Sequence, residues 1–208
     1  MKVKVAAILL AIVALAASPT YAQVTGGFKI GVNWADLAED DEEFDTEDNL
    51  DKRTGLAVGA FVDVPVAPGF SFQPEFLYSQ KGAKFEDSFT GEDVTIKYDV
   101  FQIPLLAKFN FGANDAPVQG FVVAGPGLAF RMKSEIDYDE TDELDEDIED
   151  ETESFEFSGI IGGGVKFGLA SVEIRYDHGF TNLNSVEGDT FEIKSRTFSV
   201  LFGVGFGR

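Results

Sequence analysis

Residues 197–208 read TFSVLFGVGFGR. Phe198, Val200, Phe202, Val204 and Phe206 fall on one face of an extended chain, and Ser199, Leu201, Gly203, Gly205 and Gly207 on the other. A period of two is the mark of a β-strand, because successive side chains point to opposite faces. The faces also differ in kind. One carries rings and branched aliphatics, and the other carries mostly glycine and a hydroxyl.

The same template recurs along the chain. In 27–37, Phe28, Ile30, Val32 and Trp34 share a face against Lys29, Gly31, Asn33 and Ala35. Residues 53–66 set Leu56, Val58, Val62 and Val64 against Ala57, Gly59, Phe61 and Asp63. Residues 70–82 set Phe70, Phe72, Phe76 and Tyr78 against Ser71, Gln73, Glu75 and Ser79. Residues 98–111 set Phe101, Ile103, Leu105, Ala107 and Phe109 against Gln102, Leu106, Lys108 and Asn110. A fifth strand spans 118–133. A sixth sets Phe155, Phe157, Ile161, Val165 and Phe167 against Glu156, Ser158, Gly162, Gly164 and Lys166. A seventh sets Val172, Ile174 and Tyr176 against Glu173, Arg175 and Asp177. With 197–208 the pattern predicts eight strands. Pro74, Pro104 and Pro126 remove ladder donors inside strands and are read as bulges. The phase of the fourth strand reverses near Tyr98.

The connections alternate: long, short, long, short, long, short, long. The short ones lie near Pro68–Gly69, in 112–117 and at Gly168. An antiparallel up-and-down sheet does this when its two ends meet different surroundings, as in an outer-membrane barrel with short periplasmic turns and long outer loops. A water-soluble lipocalin-like barrel is the alternative. It would put the apolar face inside, yet an eight-stranded interior only just holds side chains, and so many large groups would crowd it. The inverse orientation puts the rings in lipid and the small and charged residues in the lumen. The polar face carries Lys29, Asp63, Glu75, Lys108, Arg131, Lys166, Glu173, Arg175 and Asp177. The signs are near balance, as buried charges require. Glu173, Arg175 and Asp177 read as a salt-bridge ladder.

Aromatic positions fall at two depths. Phe28, Phe70, Phe109, Phe111, Phe167 and Phe206 lie near the short-turn end, and Trp34, Tyr78, Phe157, Tyr176 and Phe198 near the long-loop end. Two such girdles are expected of a membrane barrel.

Composition agrees. The 208 residues hold no cysteine and one histidine, His178, which excludes thiolate chemistry and any site needing two histidines. The formal charge of −21 argues against nucleic acid as a partner. Residues 1–22 read as a signal peptide: Lys2 and Lys4, an apolar run, then small residues ending at Ala22. The expected organisation is a signal peptide over 1–22 and a barrel domain over 23–208. Cleavage takes the formal charge to −23 by removing Lys2 and Lys4.

The acidic runs fit the same plan. Twelve of the seventeen residues in 137–153 are acidic, and nine more acids lie in 39–51. Both read as loops in water, which need bury nothing and so need not fold. An EF-hand frame starting at Asp41 places Thr46 where the turn needs glycine, so no defined metal site is expected. Diffuse Ca²⁺ or Mg²⁺ association and surface hydration remain for these carboxylates. Catalysis is also not expected. His178 lies on the lipid-facing phase, flanked at two-residue spacing by Tyr176 and Phe180 rather than by a serine nucleophile. No cofactor is implied.

FQPEFLYSQKG (73–82 with Phe72), FQIPLLAKF (101–109), VVAGPGLAF (122–130) and VEIRYDHGFTNL (172–183) resemble strands of the porin-family outer-membrane β-barrel proteins of Bacteroidetes and their relatives. The resemblance runs from Gly26 to Arg208. It implies an all-β fold, an eight-stranded antiparallel up-and-down transmembrane β-barrel in the outer membrane of a Gram-negative bacterium. Outer-membrane lipid and the barrel-assembly machinery are the implied partners. One departure is the ending Phe206, Gly207, Arg208, where such barrels often finish on an aromatic. The family name does not establish a diffusion pore. The expected role is structural or surface-interacting, with a charged, plugged lumen. The alternatives are a narrow cation-preferring channel and an accessory barrel in secretion or motility.

Overall fold

The computed structural model describes residues 24–39, 51–86, 93–112, 116–138, 146–147, 155–181 and 193–207. The signal-peptide reading and most of both acidic runs lie outside the described residues. The described strands are β1 (Thr25–Glu39), β2 (Asp51–Ala67), β3 (Phe70–Glu86), β4 (Asp93–Phe111), β5 (Val118–Tyr138), β6 (Glu146–Asp147), β7 (Phe155–Phe167), β8 (Ala170–Gly179) and β9 (Ile193–Phe206). Eight of them bond in the order β4-β3-β2-β1-β9-β8-β7-β5, and β4 pairs with β5 to close the ring. All pairings are antiparallel. The chain is therefore the eight-stranded up-and-down barrel that its alternation predicts.

Two of the short turns show their chemistry directly. Ala67 and Phe70 are joined by Pro68 and Gly69, with Gly69 at φ 74°, the residue order and conformation of a type II turn. Gly168, at φ 60°, opens the two-residue link between β7 and β8. Side chains rarely adopt either conformation.

Several expectations differ from the structure. Strands β3, β4 and β5 run further than the alternation suggested, to Glu86, from Asp93 and to Tyr138, and pair throughout, down to Val94↔Tyr138. The third connection shrinks to residues 87–92. A tilted strand crosses the hydrocarbon in about 9–11 residues, so these three extend well past it. Pairing satisfies the backbone there as well as water would. The acidic run is also entered by structure: β5 includes Asp137 and Tyr138 at its start, and β6 (Glu146–Asp147), within it, pairs Glu135↔Asp147 and Ile136↔Glu146.

The three prolines mark no register shift. Pro74↔Leu105, Pro104↔Gly127 and Pro126↔Gly159 all lie in continuous register. The shifts occur elsewhere. One lies between Asp99 and Val100 on the β4–β5 seam, where Met132 is passed over, beside the phase change expected near Tyr98. Two more lie on the β2–β3 seam.

Burial divides the faces as the lipid-facing assignment requires. Phe28 is 64% and Phe202 55% exposed, while Lys108 and Arg175 are 7% and 4% exposed. The inward face is less uniformly polar than expected. Phe61, Leu77, Val100, Leu106, Phe121, Val123, Ile160 and Leu201 are buried there. Leu106, Phe121, Val123 and Ile160 form one cluster. A narrow barrel must fill its centre to interior density, and ions alone cannot do so. Glycine makes the room: a Cβ on Gly164 would meet Val172 O at 2.1 Å and Phe121 Cζ at 2.7 Å.

Candidate functional site

The lumen gathers polar side chains that lie far apart in sequence. At its centre, Lys29 Nζ (β1) donates to Glu75 Oε1 (β3) and Glu173 Oε2 (β8), each at 2.6 Å. The Arg175 guanidinium (β8) donates through Nη1 to Glu75 Oε2 at 2.8 Å and through Nη2 to Glu75 Oε1 at 3.0 Å. It also donates to Glu173 Oε1, from Nε at 2.8 Å and Nη2 at 2.5 Å. Gln73 Nε2 adds a bond to Glu75 Oε1 at 2.6 Å. Two cations thus alternate with two carboxylates, and all four carboxylate oxygens accept bonds. No side chain of the four is more than 3% exposed. Strands β3 and β8 lie four positions apart whichever way the ring is followed. The network therefore links opposite walls of the barrel.

Toward the short-turn end, Lys108 Nζ (β4) donates to Asp63 Oδ2 (β2) at 2.7 Å and to Gln73 Oε1 at 3.0 Å. The same ammonium lies 4.7 Å from the centre of the Phe121 ring, and Lys29 lies 5.3 Å from that of Phe61. These cation–π contacts join the ionic and apolar parts of the filling.

Toward the long-loop end a second group forms. Lys81 Nζ (β3) lies 3.2 Å from Glu156 Oε1 (β7) and 3.5 Å from Asp177 Oδ2 (β8). Gln102 Nε2 donates to Asp177 Oδ2 at 2.5 Å, and Ser195 donates to Glu156 Oε1. Asn33 links Ser79 and Ser199, donating to Ser79 Oγ at 2.7 Å and accepting from Ser199 Oγ at 2.8 Å.

Of the charges read from sequence, Lys29, Glu75, Glu173 and Arg175 meet in the central network. Lys108 joins Asp63, and Asp177 belongs to the long-loop group. The expected Glu173–Arg175–Asp177 ladder is corrected: Arg175 bonds Glu173 and Glu75, not Asp177. Asp177 lies a step further along the lumen, among Lys81 and Gln102. Arg131 is half-buried and engaged at the long-loop end, and Lys166 is half-buried beside the β7–β8 turn. Lys81 and Glu156 were missed as partners. Lys81 falls two places beyond Ser79, so continuing the same alternation finds it.

The aromatic positions pair across strands. Phe28–Phe206 and Phe70–Phe109 have ring centres 6.0 and 6.5 Å apart at the short-turn end, where Phe167 also lies. Trp34–Phe198 are 6.0 Å apart at the other end, with Tyr176 opposite Phe198 and Tyr78 opposite Phe101. Phe76–Phe101, Phe130–Phe155 and Phe157–Phe180 extend that outer row. His178 lies in it, half-buried, between Tyr176 and Phe180. From Phe206 to Phe198 is eight steps, about 20 Å of depth for a strand tilted by about 40°. That approaches the height of a membrane barrel's apolar band.

Among solved structures, the chain is similar to Neisserial surface protein A at 13% identity and TM-score 0.49, covering 87% of this chain and 97% of that one. It is similar to OprG from Pseudomonas aeruginosa at 12% identity and TM-score 0.47, covering 90% and 96%. It is similar to the outer membrane enzyme PagL at 12% identity and TM-score 0.44, covering 85% and 98%. No curated protein matches the sequence. The family model for the outer membrane protein beta-barrel domain matches residues 19–185. The closed ring of eight strands, its outward rings and that match lead to one conclusion: the chain belongs to the outer membrane protein beta-barrel domain family and is an outer-membrane protein.

Proposed function

We propose that this barrel is a non-catalytic, non-conducting element of the outer membrane, with its lumen shut by its own side chains and its acidic loops as the contact surface. The observation that supports this is the Lys29–Glu75–Glu173–Arg175 network. It joins opposite walls, is desolvated, and leaves no carboxylate oxygen without a bond. Opening a path through it would separate buried charges, each of which costs several kcal/mol when left alone. The apolar cluster of Leu106, Phe121, Val123 and Ile160 lies along the same lumen.

Planar-bilayer recording of the purified, refolded protein tests this. Baseline current without discrete steps is the expected result. Steady cation-selective steps that change when Glu75, Glu173 and Asp177 are replaced with alanine would support the narrow-channel reading instead.

The aromatic rows are proposed as interfacial girdles in lipid. The acidic loops are proposed to face the outside of a Gram-negative cell and to associate diffusely with divalent cations. Residues 1–22 are proposed as a signal peptide that delivers the chain to the assembly machinery. N-terminal sequencing of protein purified from membranes should then begin at Gln23. A sequence beginning at Met1 would reject the cleavage.

A further inference from the structure

The outward face of the barrel is almost without charge. Among the residues whose side chains are described, it carries charge only at Asp99 on β4 and at Lys194 and Arg196 on β9. Asp99 accepts a hydrogen bond from the Tyr78 hydroxyl. The two cations stand together on one strand at the long-loop end. Arg196 is exposed and alternates with the buried Ser195 and Thr197.

Register fixes what surrounds Arg196. Trp34 (β1), Phe198 (β9) and Tyr176 (β8) lie directly abreast, all on the outward face. One same-face step nearer the loops, the same three strands bring Asp36, Arg196 and His178 abreast. His178 is half-buried, stacked on Tyr176 with ring centres 6.4 Å apart and edge-on to Phe180 at 5.3 Å. Arg196 and His178 therefore lie immediately beyond a row of three rings. That step is about 5 Å of depth for a strand tilted by about 40°. Rings of a membrane girdle sit at the interface, so the next step outward is at the depth of lipid phosphates.

We infer that Arg196 and His178 hold the phosphate of an anionic lipid in the leaflet at the long-loop end, with its acyl chains along the Trp34–Phe198–Tyr176 row. The inference rests on the proposed interfacial placement of that row. A guanidinium presents five donors in a fixed fork that matches phosphate oxygens, which leaves donors for a phosphate even with Asp36 across the β1–β9 seam. An imidazole has a ring N–H in either protonation state, so His178 can donate without titrating. Lys194, itself engaged, lies two places further along the same face and adds to the positive potential of the rim. The rest of the molecule supplies no general attraction. Its formal charge is −21, so a preference for anionic lipid has to arise at a local basic site.

Trp34 reports on this site, because it is the chain's one tryptophan and lies abreast of Phe198. The refolded full chain is placed in vesicles of phosphatidylcholine brominated on its acyl chains. Part of that lipid is then replaced by unbrominated phosphatidic acid or, in parallel, by unbrominated phosphatidylcholine. Phosphatidic acid should relieve the quenching at about one-fifth of the mole fraction that phosphatidylcholine needs, the size expected of one basic side chain against one lipid charge. Arg196→Gln, at an exposed position that tolerates substitution, should abolish that difference. His178→Phe, which keeps a ring and removes the N–H, should reduce it, and Asp36→Asn should not. Relief by both lipids alike, or a preference for phosphatidic acid that Arg196→Gln retains, would overturn the inference and leave the lipid-facing placement standing. Absence of quenching by the brominated lipid would remove that placement and the inference with it.

Discussion

Arg175→Met should lower the stability of the folded barrel by about 3–5 kcal/mol, the usual cost of breaking a buried ion pair by removing one partner. The loss arises because Glu75 and Glu173 would stay buried while losing four of the bonds that satisfy them, leaving Lys29 as their shared cation. Urea unfolding followed by the mobility of folded and unfolded forms on gels measures this. Replacing the whole set, Lys29→Met, Glu75→Leu, Glu173→Leu and Arg175→Met, should return stability to near the wild-type value, because an apolar filling avoids desolvating charge. A loss under about 0.5 kcal/mol for Arg175→Met, the size expected at an ordinary surface position, would mean that the network does not carry the lumen's stability.

Phe202→Arg should cost about 2–4 kcal/mol, and Phe206→Arg only about 0–1 kcal/mol. The two rings are equally exposed, at 55% and 56%, and lie on the same face of β9. Exposure to water would predict small, similar effects at both. Lipid separates them by depth: Phe202 lies between the aromatic rows, and Phe206 lies in the row at the short-turn end. Unfolding midpoints in lipid vesicles give the comparison. Equal, small losses would mean that the rings face water.

Much of this architecture was legible because a strand keeps its period over a short window. In 197–208 the contrast between Phe202 and Gly203 assigns the phase without reference to any other strand. Legibility failed where both phases are apolar. In 118–123 and 159–164 the runs FVV and GII give no alternation, so Phe121, Val123 and Ile160 could not be assigned to the lumen, and the apolar cluster was not foreseen. The central network was legible as a set of inward charges but not as a set of bonds. Glu75 and Arg175 are a hundred positions apart. Their meeting depends on ring closure and shear, which local alternation does not encode. Alternation alone therefore sets Arg175 between its strand neighbours Glu173 and Asp177, of which it bonds only Glu173. The prolines misled for a related reason. Each removes a donor, but a ladder anchored by pairs on both sides holds its register across the gap.

The outward orientation of the apolar face is tested most directly by the chain's single tryptophan. Trp34 lies half-buried on the outward face, against Phe198 in the row at the long-loop end. In vesicles of phospholipid brominated along the acyl chains, its fluorescence should be quenched, most strongly by bromines near the glycerol backbone and progressively less toward the chain ends. Fluorescence indifferent to brominated lipid but quenched by aqueous iodide would contradict the account.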